Sequence, residues 1–206
     1  MEHKVAIIDY GMGNLRSVQN AITRVGGDSV FIKDPKELIN FNKIILPGVG
    51  AFAQAIQALN QTGLTASLNE RREAGAHILG ICLGMQLMCR VSEEDGTHAG
   101  LNWFSSQVKK FSTDGGLSVP HMGWNGVDFA CDDIILNGLS SGGDAYFVHS
   151  YYVQCDDAKN VLATTAYGRE FHSIIRNGNV CGIQFHPEKS QEFGLQVFQN
   201  FVGIAC

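Results

Sequence analysis

Basic charge is in short supply in this sequence. Fifteen Lys and Arg against 20 Asp and Glu leave a formal net charge of -5. No basic field is available to hold a nucleic-acid backbone, so a small molecule or a protein is the expected partner. Long apolar runs are also missing, and nothing approaches the roughly 20 residues that a membrane span needs. The N-terminal MEHKVAIIDYG has no charged segment leading into a long apolar one and a cleavage site, so no signal peptide is read. The cysteines at 82, 89, 131, 155, 181 and 206 include no C-x-x-C pair. That argues against a disulfide scaffold or a zinc site, and fits free thiols in a reducing cytoplasm. No linker, internal repeat or low-complexity segment divides the 206 residues, which suits one domain over 1–206.

What is present first is alternation. KVAII (4–8), SVFI (29–32), KIIL (43–46) and AHILGI (76–81) read as strands. NLRSVQNAITRV (14–25) carries Leu15, Val18, Ile22 and Val25 at helical spacing, with Gly26 and Gly27 as a stop. Residues 51–60 and 64–74 also read as helices, and GMQLMCR starts another. Strand–helix–strand units imply an α/β fold with a largely parallel sheet flanked by helices. After residue 105 the pattern turns β-rich. SQVKKF, GVDFA, AYFVHSYYV, VLATTAY, FHSIIR and VCGIQF are separated by turn signals such as NGN (177–179), and predict an antiparallel or mixed extension of the sheet. SQEFGLQVFQNFVGI (190–204) closes the chain as a helix.

The segment Gly80-Ile81-Cys82-Leu83-Gly84 fits the G-x-nucleophile-x-G pattern of a strand-to-helix elbow. Glycines flank the nucleophile because neighbouring side chains would collide in so tight a turn. The turn exposes the sulfur, sets the Leu83 N–H near a developing oxyanion, and places a helix N-terminus where it favours a thiolate. A simply buried thiol fits these five residues equally well.

A nucleophilic thiol needs a base. In GIQFHPEKS (182–190), His186 follows an apolar strand with Glu188 two residues on. Two residues apart in an extended chain share a side, so the carboxylate can fix the imidazole's tautomer. The bland alternative is a surface turn. His149, inside the apolar and aromatic YFVHSYY, reads as structural or substrate-lining, and His121 in PHMGWN as a loop candidate. His3, His77, His98 and His172 have no local partner pattern. LPGVGAF (46–52) joins a strand to a helix, and its glycines permit an N–H to turn toward an anion. YGMGNL (10–15) has only the first G-x-G of a dinucleotide fingerprint, and Arg16 fills the third glycine position. It gives little support for NAD, and no cofactor is expected.

Taken together, GICLGMQ, LPGVG and GIQFHPEKS resemble the class I, triad-type glutamine amidotransferases, in that family's order. IIDYGMGNLRSV (7–18), SEED (92–95), PHMGWN (120–125), YFVHSYY and NVCGIQFHPEKSQEFGL (179–195) narrow the resemblance. They look like the branch whose glutaminase subunit serves a cyclase barrel in histidine biosynthesis, and the likeness covers essentially the whole chain. The resemblance implies a flavodoxin-like α/β fold, glutamine as substrate, a heterodimer with the cyclase subunit, and ammonia channelled to it. It implies Cys82 as nucleophile, His186 as acid and base, and Glu188 as its orienter. Leu83, Val49 and Gly50 would supply oxyanion N–H groups. Gly48, Gly50, Gln86, Glu94, Ser150 and Tyr151 would line the substrate pocket. Asn14, Met122, Trp124, Asn125 and Tyr146 would face the cyclase, against core packing as the plain alternative for Trp124 and Tyr146.

Two details depart from the pattern. Asn102 in GLNWF stands where the family usually has a second glycine, and Cys89-Arg90 is unusual. They leave open a paralogue that delivers ammonia for a nucleotide-linked surface sugar. A catalytically silent binding module and a cysteine peptidase of related fold are the remaining alternatives. The intact Cys82, His186 and Glu188 argue against the first, and HPE with PHMGWN against the second.

Overall fold

The computed structural model describes residues 4–113 and 116–205. His3 and Cys206 therefore lie outside the described residues. Five strands form the parallel heart of the sheet in the order β2 (Asp28–Ile32), β1 (Lys4–Ile8), β3 (Lys43–Leu46), β4 (His77–Ile81) and β13 (Val180–Ile183). These strands are nearly continuous apolar runs because helices cover both faces. Alternation within β1 sorts the cover. Ala6 and Ile8 join Phe52, Ala55 and Leu59 of α2 (Phe52–Gln61) and Leu64 and Leu68 of α3 (Leu64–Glu73). Val5 and Ile7 join Val18 and Ile22 of α1 (Leu15–Arg24) and Val197, Phe198 and Phe201 of α5 (Gln191–Gly203).

The second half is antiparallel for the most part, as its turn-rich composition predicts. Beyond β13 the sheet continues through β12 (Arg169–Asn177), β10 (Tyr151–Cys155), β7 (Phe104–Lys110), β5 (Cys89–Ser92) and the short β6 (His98–Ala99). A branch leaves β12 through β11 (Val161–Tyr167) to β8 (His121–Phe129) and β9 (Gly143–His149). Gly178, at φ 58°, turns the chain between β12 and β13, so NGN is the turn it signals.

Three expectations need correction. GMQLMCR gives only the five-residue α4 (Leu83–Leu87), because Cys89 already opens a strand that pairs with the one beginning at Phe104. AYFVHSYYV is not one strand. It breaks at Ser150, where β9 pairs with β8 and β10 turns to pair with β7 and β12. His121 is not in a loop, since it opens β8 and is buried there. Asn102, by contrast, is explained by the fold. Its φ of 56° is left-handed, a conformation that suits glycine and that asparagine tolerates.

The elbow rests on the next strand. A Cβ built on Gly84 would stand 1.8 Å from the Leu46 carbonyl oxygen, and one on Gly80 would meet Met88 Cε at 2.7 Å. Backbone cannot step aside as a side chain can. Gly84→Ala is therefore expected to destabilise the fold by about 3 kcal/mol or more, at the upper end of overpacking. Thermal unfolding checks this, and a melting temperature equal to that of the parent chain would contradict it.

Candidate active site

Strand order assembles the site. β4 lies between β3 and β13, so the loop after β3, the elbow after β4 and the turn after β13 emerge side by side. The carboxyl ends of such strands are where open α/β sheets bind ligands. Register sharpens the placement. Ile81 pairs with Ile183, and the Cys82 N–H donates to the Ile183 carbonyl at 2.7 Å.

Cys82 sits at φ 53° and ψ -109°, a region that a residue with a Cβ rarely occupies. The strain marks the elbow and turns the sulfur into a cavity of 380 Å³. Cys82 and His186 face the same cavity, and the thiol is one of the two partners that hold the imidazole's proton. The other partner is Glu188, whose Oε1 accepts from His186 Nδ1 at 2.8 Å, with both side chains almost fully buried.

The reason for the His186–Glu188 contact differs from the expected one. The pair is not in extended chain. His186 caps a single 3-10 turn, Pro187–Lys189, and that turn folds the carboxylate back onto the ring. The turn is clamped on both sides. Ser190 Oγ donates to the His186 carbonyl at 2.7 Å and accepts the Tyr146 N–H at 2.9 Å, while the His186 N–H donates to the Tyr146 carbonyl at 2.9 Å. A Cβ on Gly194 of α5 would fall 1.8 Å from the Pro187 carbonyl oxygen, so the helix packs directly on the turn.

Electrostatics separates the histidines. Burial alone would lower His186, but hydrogen bonds to Cys82 and to Glu188, then their charges, overcome it and raise the imidazole to about 10. His149 is lowered to about 3 by burial, and His121 to about 4 for the same reason. His149 lines the cavity, but its ring nitrogens are committed to Tyr151 and His121, so it is no rival base.

Most substrate-pocket candidates converge. Gly50, Gln86, Glu94, Ser150 and Tyr151 line the cavity together with Cys82, and so do Val49 and Leu83. Gly50 is left-handed at φ 96°. Leu83 is the first residue of α4, so its N–H belongs to the set that a helix leaves without an internal partner. Gly48 is not at the cavity wall. Its place is a packing contact, since a Cβ there would stand 2.7 Å from the Tyr10 hydroxyl and 2.9 Å from Leu83 Cβ. Glu94 Oε2 accepts the Phe52 N–H at 2.7 Å, which ties the SEED segment to the start of α2.

Sequence reading missed Gln184. It is fully buried, its Nε2 lies 3.7 Å from Cys82 Sγ, and its Oε1 accepts from Gln86 Nε2 at 3.1 Å. A glutamine inside the apolar run of VCGIQF is the signal that was available, because a polar group placed in a core strand needs a partner.

The docking candidates divide. Met122 is 62% exposed and Trp124 48%, so core packing does not describe Trp124. Trp124 meets the half-buried Tyr146 edge to face at 5.9 Å. Asn125 falls on the other side of β8, where its amide donates to the Ala166 carbonyl at 2.9 Å. Asn14 precedes α1 and is half-buried, without a side-chain cap bond. Among the described residues no cluster of His, Cys, Asp and Glu is arranged to hold a metal ion.

Known proteins resemble this chain along nearly its whole length. The family model "Glutamine amidotransferase class-I" matches residues 6–204. "Imidazole glycerol phosphate synthase subunit HisH" of Moorella thermoacetica is 49% identical over 96% of this chain and 93% of its own. The protein of the same name from Sulfurimonas denitrificans is 46% identical, over 96% of each. "HisH 2" of Methanococcus maripaludis is 43% identical over 96% and 98%. A solved structure titled "Structure of PurLQS from Thermotoga maritima" superposes with a TM-score of 0.76 at 20% identity, over 98% of each chain. "Crystal structure of glutamine amidotransferase" does so at 0.76 and 19%, over 97% and 99%. These two bear on the fold alone.

The coupling of the Cys82 thiol to the His186 proton can be tested. A raised histidine stabilises the fold fully below its ordinary value of 6.5 and loses that contribution as pH rises through about 10. In Cys82→Ala both the thiol hydrogen bond and its charge are gone, so His186 is expected to titrate well below its parent value. Glu188→Gln should shift it the same way. Imidazole NMR titration reads this directly, and a His186 that keeps its proton to the same pH in Cys82→Ala would contradict it.

Proposed function

This chain belongs to the class-I glutamine amidotransferase family, and we propose that it is the glutaminase subunit of an imidazole glycerol phosphate synthase. One observation carries the chemistry: Cys82 at its strained elbow and His186, whose Nδ1 is held by Glu188, face one cavity and are coupled through the imidazole's proton. The relatives' shared name supplies the pathway, and favours that acceptor over a nucleotide-linked sugar.

In this reading the Cys82 thiolate attacks the carboxamide carbon of glutamine. The oxyanion is held by the Leu83 N–H and by an N–H of the Val49–Gly50 segment. His186 then protonates the leaving nitrogen, which departs as ammonia and leaves a γ-glutamyl thioester. The raised state of His186 times that transfer. Its proton is held largely by the thiol's hydrogen bond and charge, and both disappear when the S–C bond forms. The imidazolium becomes a stronger acid at the step where an acid is needed. The neutral ring next takes a proton from water, whose oxygen attacks the thioester to give glutamate and free the thiolate. Glu188 keeps Nδ1 protonated and Nε2 toward the reaction throughout. Glu94 offers a negative charge to the substrate's α-ammonium group, while Gly50, Gln86, Ser150 and Tyr151 shape the pocket.

The ammonia goes to a cyclase subunit in a heterodimer. Met122 and Trp124, exposed on β8 beside Tyr146, form the apolar centre of the docking face, with Asn14 at its rim. Asn125 supports that face from beneath.

Two measurements test this. Cys82→Ala should abolish glutamine-dependent turnover of the two-subunit enzyme while turnover with added ammonia persists. Glutamine hydrolysis by the purified variant would refute the mechanism. Trp124→Ala should weaken cyclase binding about tenfold or more, as truncation of a central aromatic anchor does. Its melting temperature should change little, and unfolding with unchanged affinity would refute the docking role.

A further inference from the structure

Two buried histidines remain that the mechanism does not use, and their hydrogen bonds admit one arrangement of protons. His149 Nδ1 lies 2.7 Å from the Tyr151 carbonyl oxygen. A carbonyl only accepts, so Nδ1 carries the proton and a neutral ring leaves Nε2 as an acceptor. His149 Nε2 is 3.0 Å from His121 Nδ1, which must then donate. That leaves His121 Nε2 bare, and the Asn125 amide nitrogen, 3.2 Å away, donates to it. The second proton of that amide serves the Ala166 carbonyl at 2.9 Å.

The chain does not stop at Tyr151. Its carbonyl also accepts from Gln86 Nε2 at 3.0 Å, and the same amide donates to Gln184 Oε1 at 3.1 Å. Gln184 Nε2 then approaches Cys82 Sγ at 3.7 Å. From Asn125 to Gln86 each donated proton has its own acceptor, and His121, His149, Gln86 and Gln184 are all buried. The path also has a fixed scaffold. The His121 ring is stacked between Tyr167 at 3.9 Å and Phe147 at 4.8 Å, and Phe111 and Phe171 stand edge-on to both imidazoles or tilted against them. Burial keeps both rings neutral, as the proton order requires.

The outer end lies under the docking face. Met122 and Trp124 point outward from β8, while His121 and Asn125 lie beneath them on the opposite side of the same strand. The inner end lies at the pocket wall, where β9 breaks into β10 at Ser150.

We propose that His121 and His149 are positioning residues for the glutaminase site. Their proton-ordered hydrogen bonds tie strand β8 to the Ser150–Tyr151 segment and, through Gln86 and Gln184, to the Cys82 thiol. Neither imidazole touches the reacting atoms. Each sets the segment that does, so a shift of β8 on docking is felt at the pocket. The role rests on reading the cavity as a glutaminase site.

Two experiments test it. Imidazole nitrogen NMR on the full chain at neutral pH should show both rings neutral with the proton on Nδ1. A charged ring, or a proton on Nε2 of either, would overturn the proposal. The second experiment uses the complex with its cyclase and compares His121→Phe with His121→Asn. Phenylalanine keeps the ring stack and removes both nitrogens, whereas asparagine keeps a donor near the Nδ1 position. His121→Phe should raise the KM for glutamine about tenfold, as small misplacements in a site do, with kcat less affected. Ammonia-dependent turnover should stay within about twofold. His121→Asn should recover most of the loss.

Unmoved glutamine kinetics in His121→Phe, or equal impairment in both variants, would overturn the positioning role alone. A wild-type complex that uses ammonia but never glutamine would overturn the glutaminase reading and this role together. If His121→Phe does not fold, Asn125→Ala cuts the outermost link at a half-exposed side chain. It should give a smaller rise in KM, and an unchanged KM there would count against the proposal.

Discussion

The left-handed backbone at Cys82 is the constraint around which everything else is arranged. A residue with a Cβ at that conformation costs on the order of 1–3 kcal/mol. It persists because its neighbours leave no other path. The Cys82 N–H is bound to the Ile183 carbonyl, and Gly84 lies so close to the Leu46 carbonyl that no side chain fits between them. The strands on either side of β4 therefore hold the strain. The same two strands deliver the Val49–Gly50 segment and the His186 turn, so the elements that force the elbow also equip it.

Environment then divides chemically identical groups. Three histidines stand near one cavity, and all are buried. Two have neutral hydrogen-bond partners and are pushed toward the uncharged state. The third lies between a thiol and a carboxylate, and the same burial that would discharge it is outweighed by those two partners. One residue type is thereby held in opposite charge states side by side. Low dielectric serves both, because it penalises an unpaired charge and strengthens a paired one.

Much of this was legible beforehand, for local reasons. The first four strands and α1 to α3 follow from apolar periodicity and glycine stops, and fall within a residue or two of their expected bounds. The elbow follows from two glycines spaced around a cysteine. Asn102 stands at a position where the family pattern has glycine, and its left-handed backbone explains why. Other features were not legible. AYFVHSYYV is an unbroken β-former, and only pairing with different neighbours divides it at Ser150. GMQLMCR has helical composition, but Cys89 is claimed by a strand partner. Gly48 looked like substrate lining, yet close packing against Tyr10 and Leu83 is what its bare backbone permits.

By itself the sequence marked Cys82, His186 and Glu188 as the candidate nucleophile, base and orienter and pointed to the family they resemble, because each motif is short and its chemistry depends on residues near in the chain. Only the tertiary structure decided how His186 meets Glu188, through a clamped turn and not an extended strand. Only it brought Gln184 to the Cys82 sulfur, across 102 positions of chain. It alone put Met122 and Trp124 on one side of β8, with His121 and Asn125 on the other joined by hydrogen bonds to the pocket. The physical reason is that hydrogen bonds between distant segments are fixed by strand order and register. Those are set by how two apolar faces are covered, which no local pattern encodes.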